Sequence, residues 1–333
     1  MTTTMSTTEL LATLPARPRR PLAWVGPAAG KLVQAVVTLL LVAVCVFFAT
    51  QIMPGNAATV LLGTHATPER VHALSQQLGL NDPVLVQFGR WFGGVLHGDF
   101  GMSLAGDRPV VQILAAPLGN SLFLAAVAVA IILPLSLLVG VLAARYRDGW
   151  FDRAFLGGSM VANALPDFII GTLLVFLFGT TVFRILPAVS IIPIGSHPWD
   201  QPAKLVLPVL TLVIGGVMYL GRLVRAAVID VLGSEYVEMA ELKGVGRWRI
   251  LLVHALPNAL APAIPAASLV AAFTVGGVVV TEYVFNYPGM GVLLLRSIGA
   301  RDIPMIQAIV LIIAAIYFVF NFVADLVRVG GRG

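Results

Sequence analysis

Seven acidic, basic or imidazole side chains, Glu235, Glu238, Glu241, Lys243, Arg247, Arg249 and His254, crowd into the 24 residues from Ser234 to Pro257 of a chain that is 58% hydrophobic and 11% charged. Two long apolar runs flank them, and charges this dense belong outside lipid, where each would cost about 3 kcal/mol or more at the bilayer centre. Ser234 is placed to cap a helix whose first turns carry the three glutamates, acids that the positive end of a helix favours. Lys243 falls at its last turn and Gly244 at its stop, which predicts a helix of about 10 residues lying outside the membrane. Tyr236, Met239, Ala240 and Lys243 follow the three-and-four spacing of one helical face. Such a face, largely uncharged and with a small residue at its centre, suits docking rather than bond chemistry.

The remaining reactive side chains offer no catalytic constellation. His65, His72, His97, His197 and His254 lack the close spacing of metal ligands, no Ser-His-Asp or paired-carboxylate arrangement is evident, and neither a metal site nor a catalytic residue is assigned. Gly26-Pro27-Ala28-Ala29-Gly30-Lys31 imitates a phosphate-binding loop, with three residues between the glycines where four are required and Leu32 in place of Ser or Thr. No other phosphate loop occurs, so any ATP used is hydrolysed by another chain. Cys45, the one cysteine, allows neither an internal disulfide nor a cysteine metal site. The net charge of +5 comes from basic residues scattered between apolar runs, which fits membrane topology and not a nucleic-acid surface.

Those residues are positioned by hydrophobic segments. A mean hydropathy of +0.93 over 333 residues demands a bilayer. Spans are predicted near 32–53, 117–142, 154–182, 205–221, 259–281 and 303–324. The first is read as a retained span, since no small-residue cleavage site follows it. In the third, Asp167 is the only charge, about 13 residues or ~20 Å along the axis from the end near Arg153. Eleven Leu, Ile, Val and Phe residues from Val161 to Phe178 favour insertion by about 3–7 kcal/mol, against about 3 kcal/mol for one central Asp. Insertion survives, and the Asp needs a reason. Pro134 is a possible kink, and Pro262, Pro265 and Gly276-Gly277 predict bending or close helix contact in the fifth span.

Between the first two spans a polar stretch carries two short helices. One starts at Thr67-Pro68, with Val71, Leu74 and Leu78 on its apolar face and Gly79 as its stop. The other aligns Val84, Leu85, Phe88, Trp91, Phe92 and Val95, a face suited either to the membrane interface or to neighbouring spans. Six spans place both termini and the loops at 145–153 and 222–258 on one side, with 14 of the 21 Lys and Arg. The positive-inside rule makes that side the cytosol.

The spacing Glu238-x-Ala240-x3-Gly244-x9-His254-x-Leu256-Pro257 resembles the cytoplasmic coupling loop of ATP-binding-cassette importer permeases, with Met239 and His254 replacing a small and an aliphatic residue. The string LGLNDPVLVQFGRWFGGVLHGDFGMS followed by Arg108-Pro109-Val110 resembles the external loop of dipeptide and oligopeptide permeases. The stretch VVVTEYVFNYPGMGVLLLRSIGARDIPMIQAIVLI is similar to the first of the two permeases of peptide importers, and the likeness covers about residues 31–328.

The resemblance implies an all-α polytopic membrane protein with six transmembrane helices, the type-I importer permease fold, and an external loop domain between spans one and two. Its parts would be a basic cytosolic tail (1–30), the first span (31–53), the extracytoplasmic loop (54–116), a five-helix transmembrane domain (117–328) including the coupling loop (228–258), and a short cytosolic tail (329–333) in a prokaryotic cell membrane. Implied partners are a homologous second permease, two cytosolic ATPase subunits or domains, an extracytoplasmic substrate-binding protein and membrane lipid, without nucleic acid. This chain would hold no cofactor, with ATP and Mg on the ATPases. Tyr236, Glu238, Met239, Ala240, Lys243 and Gly244 would couple to the ATPase. Peptides are the implied substrate, and nickel and glutathione permeases share much of the pattern. An ion-coupled secondary carrier is the reading from another class, and it would want several intramembrane acids where only Asp167 is clearly embedded.

Two sets of residues keep alternatives. Asp167 either pairs with the second permease or with backbone amides freed near Pro166, or lines the passage and attracts the ammonium end of a peptide. Glu282, Phe285, Pro288 and Gly289 form either a solvated connector or an external gate or docking surface for the binding protein.

Overall fold

Apolar runs long enough to cross a bilayer become helices because their backbone groups find no water to bond. The computed structural model describes residues 25–52, 57–63, 66–77, 79–193 and 195–330. The helices in chain order are α1 (Val25–Gln51), α2 (Ala57–Leu62), α3 (Pro68–Gln77), α4 (Val84–Leu96), α5 (Val110–Arg145), α6 (Trp150–Ala164) and α7 (Asp167–Leu174). They continue as α8 (Val206–Leu232), α9 (Glu235–Leu242), α10 (Leu256–Phe285), α11 (Met290–Gly299) and α12 (Ile303–Gly330). Among the described residues, α1, α5, α8, α10 and α12 contain stretches long and apolar enough to cross a membrane.

The third span is where the structure departs from expectation. Instead of one helix over 154–182, α6 and α7 meet at 108°. Leu165 between them is extended, with φ −96° and ψ 130°, the conformation that a residue preceding proline prefers. Counted as one crossing, the bent pair brings the total to six. A wider π-helical turn, Val175–Thr180, closes α7. Asp167 is therefore the first residue of a new helix and not a point part-way along a continuous one.

Other boundaries also move. α5 runs unbroken through Pro117 and Pro134 and starts at Val110, so the expected loop end at 116 lies inside it. α8 continues past Arg222 and Arg225 to Leu232, which makes the first residues of the 228–258 loop helical.

The core is built on the α5–α8 pairing, the most extensive in the molecule. Small residues let these backbones close in: a Cβ on Gly140 would lie 2.6 Å from the Gly221 carbonyl oxygen. Leu124, Ile132, Leu212, Leu220 and Val228 fill that core, and α10 packs against α8, α12 and α5.

At the edge, α1 packs along α12 and is pinned at both ends. Lys31 Nζ lies 2.9 Å from Asp325 Oδ2, and Gln307 Nε2 donates to Thr50 Oγ1 at 2.7 Å. The pins are 19 residues apart on α1 and 18 on α12. At about 1.5 Å per residue that is ~27–28 Å, close to the thickness of a hydrocarbon core. The stretch Gly26–Lys31 is the start of α1, a helix and not a phosphate loop.

α4 resolves its alternatives by packing. Phe88 and Trp91 lie 5.2 and 5.4 Å from Phe47 of α1, and Trp91, Phe92 and Val95 join a cluster with Ala43, Val46 and Leu311. α3 ends as expected before Gly79, whose φ of +64° suits glycine; Leu78 and His65 lie outside the described residues.

Candidate functional site

α9 stands at the end of the bundle reached by α5 and α8, shorter than expected at 8 residues. Ser234 occupies the cap position with extended backbone, yet its hydroxyl donates to the Val231 carbonyl oxygen at 2.5 Å instead of accepting from an α9 amide. The cap therefore closes the preceding helix, which corrects the sequence reading. Glu235 and Glu238 occupy the first turn, and Gly244 ends the helix with a φ of +76°. The backbone turn is completed by the Val245 amide on the Ala240 carbonyl at 3.1 Å.

One residue anchors α9: Val237 is 2% exposed, while Tyr236, Met239 and Leu242 are 45%, 59% and 76% exposed. Ala240 is half-buried. Leu242 was missed by the sequence reading, although its three-residue step from Met239 signalled it. The Tyr236 hydroxyl accepts from Asn258 Nδ2 at 3.0 Å, and Asn258 also donates to the His254 carbonyl at 2.8 Å. That ties α9 to the π-helical stretch Ile250–Ala255 leading into α10. Among the described residues, no hydrogen bond or ion pair within the chain engages the Glu238 or Lys243 side chain. Trp248, Leu252 and Val253 extend the exposed apolar surface, with the Arg145 guanidinium 5.6 Å from the Trp248 ring centroid.

Beneath this surface α6 is bolted to α8. Arg225 donates from Nε to Asp152 Oδ1 at 2.5 Å and from Nη2 to Oδ2 at 2.7 Å, and Asp152 Oδ2 also accepts from the Asp148 amide at 2.9 Å. Asp152 is 1% exposed. A bidentate pair of this kind fixes angle as well as distance. The sequence held no signal for it beyond an Asp near basic residues.

At the opposite rim two buried carboxylates act as braces. Glu282, fully buried in the last turn of α10, accepts from the Ser121 hydroxyl of α5 and, at 2.6 Å, from the Gly291 amide at the start of α11. Ser121 Oγ in turn accepts from the Met290 amide at 2.8 Å. Gly289 lies against the same carboxylate, and a Cβ there would overlap Glu282 Oε1. Phe285 is also fully buried and Pro288 half-buried. The connector folds inward over α5 and α7, and Tyr283 and Asn286 are the exposed neighbours of these side chains. Tyr287 donates to the Asn120 carbonyl at 2.9 Å, and burial, then the Glu282 carboxylate, push its ionisation above the usual tyrosine range. Asp302, missed by the sequence reading, accepts from the Ser103 hydroxyl and the Leu104 and Ala105 amides, fastening the loop before α5 to the start of α12.

Asp167 is built differently. Its two oxygens face Gly215 of α8 and Gly277 of α10, where an added Cβ would lie 3.3 and 3.0 Å away. Gly277 thus makes the close contact expected of the fifth span, and a Cβ on Gly276 would meet nothing within 4 Å. No hydrogen bond or ion pair of Asp167 occurs among the described residues, which removes the pairing with backbone amides near Pro166. The carboxylate borders a cavity of about 200 Å³ lined also by Asn163, Leu212, Tyr219, Phe273 and Thr274.

The binding-protein-dependent transport system inner membrane component family matches residues 136–329, and the N-terminal family of the same membrane components matches residues 29–125. A Brucella abortus (strain 2308) protein named as a peptide transport system permease is 32% identical over 296 residues, covering 89% of this chain and 94% of that protein. A peptide ABC transporter permease of Sinorhizobium fredii is 34% identical over 298 residues with the same coverage of each. The glutathione transport system permease protein GsiC of Salmonella paratyphi A is 35% identical over 295 residues, again 89% and 94%.

Proposed function

The chain belongs to the binding-protein-dependent transport system inner membrane component family and is a permease subunit of an ATP-binding-cassette importer; on that premise we propose that it carries peptides and couples to a separate ATPase through α9. The observation that supports the coupling role is an exposed ridge of Tyr236, Met239 and Leu242, with Glu238 and Lys243 unengaged, on a helix held by one buried valine. The relatives named as peptide permeases support the substrate.

In this reading the α9 end and both termini face the cytosol, and the Glu282 rim faces an extracytoplasmic binding protein. A homologous second permease completes the passage, and two ATPase subunits or domains hold ATP and Mg. Nucleotide binding closes the ATPase pair and drags the two coupling helices together. α9 passes that movement to α8 across the short turn at Gly233-Ser234, and to α10 through Tyr236 and Asn258. The Arg225–Asp152 bolt makes α6 follow α8, so the cavity walls move as units.

Glutathione, itself a modified tripeptide, is the second substrate reading, favoured by the 35% identity to a glutathione permease. The ligand that co-purifies with the partner binding protein separates the two. For the coupling role, Glu238→Lys in the reconstituted transporter is expected to abolish ATP-driven import while assembly stays intact; unchanged import would refute the assignment.

A further inference from the structure

Among the described residues, the carboxylates packed within the bundle fall into two kinds. Asp152 is held by a guanidinium and Glu282 by a hydroxyl and an amide, whereas Asp167 has no hydrogen-bonding or ionic partner among the described residues. Its depth follows from the helices beside it. Gly277 lies 8 residues from the rim end of α10 and Gly215 lies 9 from that of α8, so the carboxylate sits ~12–14 Å inside the rim. A carboxylate at that depth is costly unless something complements it.

The surroundings are shaped for a visitor. Two glycines keep side chains off both carboxylate oxygens, and Asn163, Tyr219 and Thr274 supply polar edges to the 200 Å³ cavity. That volume far exceeds the about 10–15 Å³ that one water needs. Among the described residues no Lys, Arg or His lines it, and Tyr219 is the one other titratable side chain there. Phe273, 55% exposed, leaves apolar surface beside the carboxylate, the combination that a short peptide presents in mirror image: an ammonium next to a side chain.

We propose that Asp167, with the cavity between α7, α8 and α10, is a transient subsite for the primary ammonium group of the transported peptide, making Asp167 a specificity-determining residue of the passage. The proposal rests on the reading of the chain as a peptide permease. A charge-assisted contact made only while substrate passes complements the carboxylate in transit and leaves it free afterwards. A permanent cation from a second permease would instead neutralise it throughout the cycle.

The test compares wild type and Asp167→Asn in the complete reconstituted transporter, using one binding protein preparation and labelled trialanine from about pH 6.5 to about 9, across the about 7.7–8.0 at which a peptide amine titrates. Taking the ratio of the two import rates at each pH removes every factor that the binding protein contributes equally to both chains. The expected ratio is on the order of tenfold below the amine's titration and falls toward one above it. A ratio that is large but flat in pH identifies a fixed cation from the second permease and overturns the proposal. So does a ratio near one throughout, or an Asp167→Asn chain that no longer co-purifies with its partners, the mark of a structural role. If the wild-type transporter imports no peptide at all, the peptide reading itself fails, and the subsite's ligand fails with it.

Discussion

The two ends of this permease solve opposite problems with similar residues. At the rim, Glu282 and Asp302 are buried and spend their oxygens on hydroxyls and amides of the same chain, stitching α10 to α5 and α11, and α12 to the loop before α5. At the α9 end, Glu238 and Lys243 are exposed and engage nothing among the described residues, and the apolar ridge beside them is uncovered. The rim acids are consumed by the fold, and the acids of α9 are left outside it. The comparison gives a rule for substitutions: internal braces should cost stability, and α9 residues should cost coupling.

The largest expected effect is at the bolt beneath α9. Asp152→Ala strands the Arg225 guanidinium and should lower stability by about 3 kcal/mol, the low end for a broken buried pair because Arg225 keeps some exposure. Thermal unfolding in detergent measures it, and a change within error would show that the pair is incidental. Next comes the rim: Glu282→Ala leaves the Ser121 hydroxyl and Gly291 amide without an acceptor, for about 2 kcal/mol of destabilisation in the same assay. A similar loss from Glu238→Lys would show that α9 braces the fold as well, since that substitution is expected to leave unfolding unchanged.

Gly244→Leu acts on coupling alone. A branched side chain at φ +76° strains the end of α9 by about 1–2 kcal/mol, and a Cβ there would meet nothing within 4 Å, so the bundle should hold while ATP-driven import fails. Preserved import would mean that the shape of the helix end is irrelevant to coupling. The smallest effect is Ser234→Ala. Because the hydroxyl bonds back to Val231 and not to α9, the cost should fall below the about 1 kcal/mol typical of a lost helix cap.

How much of this was legible follows from the range of the interactions. The spans were read from apolar runs, and α9 from its punctuation at Ser234 and Gly244, both local signals. The break before Asp167 was not, although Pro166 marks the place: Pro117 and Pro134 sit inside an unbroken α5, so a proline alone does not say whether a helix bends. The neighbours decide it, as α8 and α10 pack against α7 and hold it at its own angle. The braces were illegible because their partners are distant in sequence, 73 residues for Asp152 and Arg225, 161 for Ser121 and Glu282, and 199 for Ser103 and Asp302. Glu282 stood out as a charge beside a turn-rich connector, and only the folded chain turns it inward.

Docking of the ATPase on the α9 ridge, as proposed, can be tested directly. In a transporter with Cys45 replaced by serine, Met239→Cys tests that ridge and Leu85→Cys, 76% exposed on α4, serves as its counterpart at the rim. Short-range thiol crosslinking in reconstituted vesicles should join position 239 to the ATPase subunit and leave position 85 free of it. An ATPase crosslink at position 85, or none at 239 in an assembled and active transporter, would contradict the account.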